Sequence, residues 1–281
     1  MTGRLGGWLG VCGVAAILGL CGGCISIPRI GQDTLGGESE KFSVTNWPET
    51  IFYIDGAGGG GPITDATPEI RRGLQAAGFA GDFRPFRWQS GLGALADQLM
   101  SGDSKRAHAR RLAGEIRATL DMHPGGRVAL IASSAGTAIT VFALEELREP
   151  HRVESVVLMS SAMSADYDLS SALARVRGNV HVLTSDRDRL LKVVVPMVGC
   201  SDRAGDTAAG VAGFRLPENA SDVTRADYAR VLHLPWREQF RDHGHDGGHT
   251  DCKSPRFVQR VVAPLVAGAA PEPIVASAQR P

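Results

Sequence analysis

The sequence predicts an α/β domain built on a mostly parallel sheet with helices on both faces, and three observations support this. Apolar runs rich in β-branched and aromatic residues alternate with helix-period segments along most of the chain. The first run, Thr50-Ile51-Phe52-Tyr53-Ile54, empties into a glycine-rich loop, Asp55-Gly56-Ala57-Gly58-Gly59-Gly60-Gly61-Pro62. A later run from Arg127 to Ala132 ends abruptly in Ser133-Ser134-Ala135-Gly136, and helical spacing begins at once with Ala138, Ile139, Val141, Phe142 and Leu144. In such sheets ligands sit at the carboxyl ends of the strands, where the glycine loop and Ser134 would both lie.

The 281 residues allow one α/β domain of ordinary size. Thirty basic and thirty acidic residues balance, so charge gives no footprint for nucleic acid or another highly charged partner. No internal repeat is visible. Residues 1–24 read as an export signal: Arg4 supplies the basic start, and Trp8 to Leu20 is apolar but short and broken by glycine. It closes on Leu20-Cys21-Gly22-Gly23-Cys24, which resembles a bacterial lipoprotein signal with Cys24 as the lipidated residue; Cys21 departs from that pattern. The resemblance implies an exported protein held at the cell envelope by an N-terminal lipid anchor. Residues 25–47 then read as a polar tether, 48–270 as the folded domain and 271–281 as a flexible tail. Three of the five cysteines belong to the signal region. Cys200 and Cys252 remain, and in an exported domain two such residues invite a disulfide.

Taken in order, strand 50–54 and its glycine loop come first. The letters from Gly56 fit G-x-G-x-x-G, but that dinucleotide fingerprint needs a helix to open on its last glycine. Here the helix opens only at Thr67-Pro68-Glu69, with Thr67 as cap and Pro68 at the first turn, and it runs to Ala77. A short strand follows near Phe83 to Trp88, a connection over Leu92 to Gly102, and a helix from Ser104 to Leu120. The Ser134 strand and its helix extend to about Leu147. Val153 to Met159 is the next strand, Ser170 to Arg177 a short helix, and Asn179 to Thr184 a further strand. Leu191 to Pro217 reads as a helix and loop, Val231 to Leu234 as the last strand, and Phe257 to Leu265 as a closing helix.

A strand turning sharply into a helix crowds the two backbones, so it needs small residues two before and two after the apex. Ala132 and Gly136 satisfy this around Ser134, whereas centring on Ser133 would put Ile131 in the crowded place. The bland alternative is that Ser133 or Ser134 simply caps the helix. The pattern resembles the nucleophile elbow of α/β-hydrolases, G-x-S-x-G, with Ala132 replacing the first glycine.

That resemblance extends over nearly the whole 48–270 segment and implies an esterase- or lipase-like serine hydrolase needing no cofactor. Ser134 would be the nucleophile. The triad acid would lie in Ser185-Asp186-Arg187-Asp188-Arg189, after the fifth strand; Asp188 is favoured because one more residue lets the chain turn toward the histidine loop, with Asp186 its rival. Either carboxylate could instead pair with Arg187 or Arg189 on the surface. His249 would be the base, since Gly247-Gly248 permits a tight turn before the closing helix. The oxyanion donors would be the N–H of Ala135 and one from Gly56, Ala57 or Gly58. The expected substrate is a small-molecule or lipid-like ester. Two other readings stand beside this: a catalytically silent surface protein on the same fold, and a metal-dependent hydrolase using His243, His245 and His249.

Overall fold

The computed structural model describes residues 44–269 apart from 62, 63 and 204. The export signal, Cys24, most of the tether and the tail lie outside the described residues. Six strands form one all-parallel sheet: β1 (Thr50–Ile54), β2 (Asp82–Phe86), β3 (Val128–Ser133), β4 (Ser155–Met159), β5 (Val180–Thr184) and β6 (Val231–Pro235), in the order β2-β1-β3-β4-β5-β6. The chain starts in the middle of the sheet, builds one edge with β2, and returns to build the other from β3 onward. Connections between parallel strands must cross a face of the sheet, and they carry the helices.

Because successive strand residues point to opposite faces, the strands feed two separate cores. Phe52, Ile54, Leu130, Val156, Leu158 and Val182 pack against α3 (Gly102–Met122), α4 (Gly136–Glu146) and the short α5 (Ser170–Leu173). Ile51, Tyr53, Ala129, Ile131, Val157, Met159 and Leu183 pack against α1 (Thr67–Ala76) and the closing helical segment 255–266. One sheet between two helical layers is the fold class expected from the alternating pattern. Asn46 and Trp47, assigned above to the tether, already belong with the domain: Asn46 reaches the Ala267 carbonyl, and Trp47 packs on Phe79 with ring centroids 5.3 Å apart. Among the described residues no helix is long and apolar enough to cross a membrane.

Several local expectations need correction. Thr67 does not cap α1: it is the first helical residue, Ala66 before it offers no side-chain cap, and Asp65 Oδ1 accepts the Thr67 N–H at 2.9 Å. The connection after β2 contains a helix of its own, α2 (Ala94–Leu99), too short and too closely flanked by glycine to show a period. Helix α5 stops at Leu173, because Val176 bridges to Val153 in extended pairing. The Cys200–Cys252 disulfide is absent: both are buried free thiols. Cys200 sits in a small cluster with Ala162, Leu191, Val195 and Ala208, while Cys252 belongs to the core that Ile51 and Tyr53 share with the closing helical segment. Burial pushes the Cys252 thiol up to about 11 and the Cys200 thiol up to about 12, so neither is a reactive thiolate near neutral pH.

Gly136 does have to be small, but the atoms that crowd it belong to the end of the neighbouring strand β1 rather than to β3. A Cβ on Gly136 would stand 2.5 Å from the Ile54 carbonyl oxygen and against that of Asp55, both backbone atoms that cannot swing away. Gly136→Ala should therefore cost about 3 kcal/mol of stability, read as a lowered urea midpoint; a midpoint within experimental error of the parent protein would show that α4 can move off β1.

Candidate functional site

Ser134 follows β3 directly and adopts a left-handed backbone with φ 51°, unusual for a residue with a side chain. Its backbone is held on both sides by the end of β4: the Ser134 N–H donates to the Met159 carbonyl at 2.9 Å, and the Ala162 N–H donates to the Ser134 carbonyl at 3.3 Å. The capping role is not taken up by either serine. The residue preceding α4 is Ala135, with no side-chain cap, and Ser133 is buried with its hydroxyl donating to Asp55 Oδ1 at 3.0 Å. The Ser134 hydroxyl is thus turned out of the chain, where strain of this kind is tolerated for a reason other than packing.

It meets His249. Ser134 Oγ lies 2.9 Å from His249 Nε2, and His249 Nδ1 lies 2.7 Å from Asp188 Oδ2. The second Asp188 oxygen accepts the Leu191 N–H at 3.0 Å, and its carboxylate is 1 % exposed against 13 % for the imidazole. Asp186 is exposed, and its backbone carbonyl accepts from Lys192 Nζ at 3.1 Å. Surface pairing does not claim Asp188 either, because Arg187 lies over the Trp236 ring at 4.0 Å and reaches Glu238 at 3.4 Å.

The turn bearing Asp188 and the loop bearing His249 are fastened together. Ser185 Oγ donates to the Gly247 carbonyl at 2.7 Å. Gly247 has φ 98°, which only glycine adopts readily, so the chain can double back before His249. Beneath it, the His245 ring stacks on Phe240, 6.2 Å between centroids, and meets Phe257 edge-on at 4.6 Å; its Nδ1 accepts the Gly247 N–H at 3.3 Å. His245 is therefore a core aromatic, and His249 is turned toward Ser134. Among the described residues no group of three or more His, Cys, Asp and Glu side chains is arranged to hold a metal ion.

Burial alone pushes His181 down to about 4, and burial is the main cause of the same shift at His245. Folded imidazoles at 4 against about 6.5 unfolded leave the unfolded chain binding more protons in between. Their contribution is fully present above pH 6.5 and is lost as the pH falls through 4. The unfolding free energy should drop across that window, by an amount approaching roughly 3 kcal/mol per imidazole at the limit; equal values from urea titrations at pH 7 and pH 4.5 would contradict both burials.

The glycine loop runs beside the serine: a Cβ on Gly56 would stand 2.9 Å from Ser134 Cβ. Two of the three proposed amides there are already committed. Gly56 N–H donates to Asp55 Oδ1 at 2.7 Å and Gly58 N–H to Asp97 Oδ2 at 2.8 Å. Among the described residues the N–H groups of Ala57 and Ala135 have no acceptor. Trp88 Nε1 donates to the Asp55 carbonyl at 2.7 Å, and Gln89 Nε2 donates to that of Gly56 at 2.9 Å. Asp55, Trp88, Gln89 and Asp97 are contributors that sequence reasoning missed. Only Asp55 carried a signal, as the acid between a buried strand and four glycines.

An all-parallel sheet with a glycine loop after β1, a serine at a strand-to-helix turn after β3, an acid after β5 and a histidine after β6 is of the α/β-hydrolase fold class. No protein-family model matches the chain, and no curated protein matches its sequence. Among solved structures it is similar to an acetyl xylan esterase at 13% identity, over 75% of this chain and 97% of that one, with TM-score 0.41. It is also similar to a cutinase-like protein from Cryptococcus sp. (13% identity, 81% and 100% covered, TM-score 0.39) and to the carboxylesterase CesB from Bacillus subtilis (13% identity, 81% and 87% covered, TM-score 0.36).

Proposed function

We propose that this protein is a serine hydrolase that cleaves carboxylic esters through an acyl-enzyme. The observation that carries the reading is the continuous Ser134–His249–Asp188 hydrogen-bonded line, 2.9 and 2.7 Å, on a serine held at φ 51°. Ser134 Oγ attacks the acyl carbonyl while His249 Nε2 takes its proton. Asp188 keeps the Nδ1 proton in place and stabilises the imidazolium. The tetrahedral oxyanion accepts from the N–H groups of Ala135 and Ala57. His249 then returns the proton to the leaving alcohol, and water, deprotonated by the same imidazole, releases the acid. A fluorophosphonate probe tests this, since only an activated serine labels: labelling at Ser134, with EDTA-insensitive turnover of aryl esters of varied acyl length, is the expected result. An unlabelled, folded protein would leave the catalytically silent surface protein as the better reading.

The site of action proposed is the cell envelope, with Cys24 as the lipid attachment point. Two acyl chains on one residue suffice for stable anchoring, whereas one is marginal. Cys24→Ser should convert a processed, membrane-fractionating protein into an unprocessed precursor. An unchanged N-terminus and fractionation would remove lipidation from the account.

A further inference from the structure

Around Ala57, two buried carboxylates hold the flanking backbone. Asp55 is 3 % exposed, and its Oδ1 accepts from Gly56 N–H at 2.7 Å, Ser133 Oγ at 3.0 Å and Lys253 Nζ at 2.7 Å; Oδ2 accepts the Ala66 N–H at 3.1 Å. Asp97, at 0 %, accepts Gly58 N–H at 2.8 Å through Oδ2, and through Oδ1 the Ser90 N–H at 2.8 Å and Ser90 Oγ at 2.6 Å. Lys253 belongs to the turn Asp251–Lys253, four residues beyond His249, and its side chain is 13 % exposed. The Asp55–Lys253 pair therefore joins the residue before the glycine loop to the segment carrying His249, and Ser134 lies next to Gly56.

A buried ion pair is an inefficient source of stability, because desolvating both charges offsets most of their attraction. What it supplies here is placement. Burial pushes the Asp55 carboxyl up, but Lys253 and the amide donors outweigh it and hold the group below the usual carboxylate range. It thus remains an acceptor for the Gly56 amide.

We infer that Asp55 with Lys253 on one side, and Asp97 on the other, are positioning residues for ester hydrolysis: they fix the amides of Gly56 and Gly58 so that the Ala57 N–H is presented to the oxyanion at a set distance from His249. This rests on the reading of Ser134 as nucleophile. None of the three touches substrate. Their effect passes through the Ala57 amide and belongs to the transition state, where the oxyanion has formed, rather than to substrate binding. The Lys253 charge also offsets that of the Asp55 carboxylate beside the glycine loop.

The test compares Lys253→Met, Lys253→Arg, Asp97→Asn and the double variant Asp55→Asn/Lys253→Met, with rates normalised to fluorophosphonate-titrated sites. Measured quantities are kcat and KM on an aryl ester and the affinity for phenylboronic acid, whose tetrahedral adduct mimics the oxyanion. Lys253→Met should lower kcat about 10- to 100-fold, less than loss of an oxyanion donor itself, with KM within threefold. Boronate affinity should fall in parallel, and Lys253→Arg should recover most of both. Asp97→Asn, which sets an NH2 against one of the amides it now holds, should move the same two quantities. If Lys253→Met does not fold, the double variant leaves no unpaired charge and should show the same kcat defect. Wild-type kcat and boronate affinity in folded Lys253→Met or the double variant would overturn the inference. A Ser134→Ala control that still hydrolyses the ester would instead overturn the reading beneath it, so the two failures are distinguishable.

Discussion

Ser134→Ala should lower kcat by roughly 10⁴–10⁶ and abolish fluorophosphonate labelling, while KM and the urea midpoint stay close to those of the parent protein. The size follows from the geometry. Ser134 Oγ is the only nucleophilic atom bonded to His249 Nε2, so removing it removes covalent catalysis and leaves only binding and the oxyanion donors. His249→Ala should cost as much, and the double variant scarcely more, because nucleophile and base act as one unit. The unchanged stability is equally specific, since among the described residues the Ser134 side chain makes no capping contact and its hydroxyl bonds to the imidazole alone. Ser134→Gly separates the two properties further. It should be as inactive as the alanine variant yet more stable by about 1 kcal/mol, because glycine relieves the φ of 51°. A folded Ser134→Ala protein that keeps its activity would sink the mechanism.

The parts of this site that sequence made legible are those set by local crowding or local reach. The small residues around Ser134 were legible within five residues, although the neighbour that requires Gly136 to be small is the end of β1, which the local pattern does not name. Gly247 announces the doubling-back before His249 in the same way. The two-sided core was legible because strand residues alternate, so the layers follow from parity alone. Contacts between distant segments were not. Asp55 and Lys253 are 198 residues apart, and nothing local to either predicts the other. The cysteines failed for the same reason: spacing in sequence says nothing of which buried cluster a thiol joins. The cap position was missed because the helix begins one residue early, with Thr67 inside it and Asp65 holding the Thr67 N–H. The choice between Asp186 and Asp188 lay on the border. Two residues of reach separate a surface carboxylate from a buried one, and the reach argument depends on where the histidine loop ends.

That choice carries the second large effect. Asp188→Asn should reduce kcat about 10⁴-fold with the fold intact, whereas Asp186→Asn should leave most of the activity. Asp188 uses its two oxygens differently: one accepts the Leu191 N–H, the other faces His249 Nδ1. An asparagine must keep an oxygen toward Leu191, because an amide N–H cannot meet another N–H, and its NH2 then faces the imidazole. Nδ1 becomes an acceptor, the ring proton moves to Nε2, and the atom that should take the Ser134 proton already carries one. The loss is therefore one of tautomer rather than of distance. It should appear in kcat and kcat/KM alike, with KM nearly unchanged and labelling by fluorophosphonate slowed in proportion. Asp186 is solvent-exposed and engages its neighbours through its backbone carbonyl, which the substitution preserves. Full activity in Asp188→Asn together with a large loss in Asp186→Asn would reassign the acid while keeping Ser134 and His249 in their roles. Full activity in both would show that His249 is oriented by its loop alone, through the Ser185–Gly247 fastening and the stacked His245 beneath it.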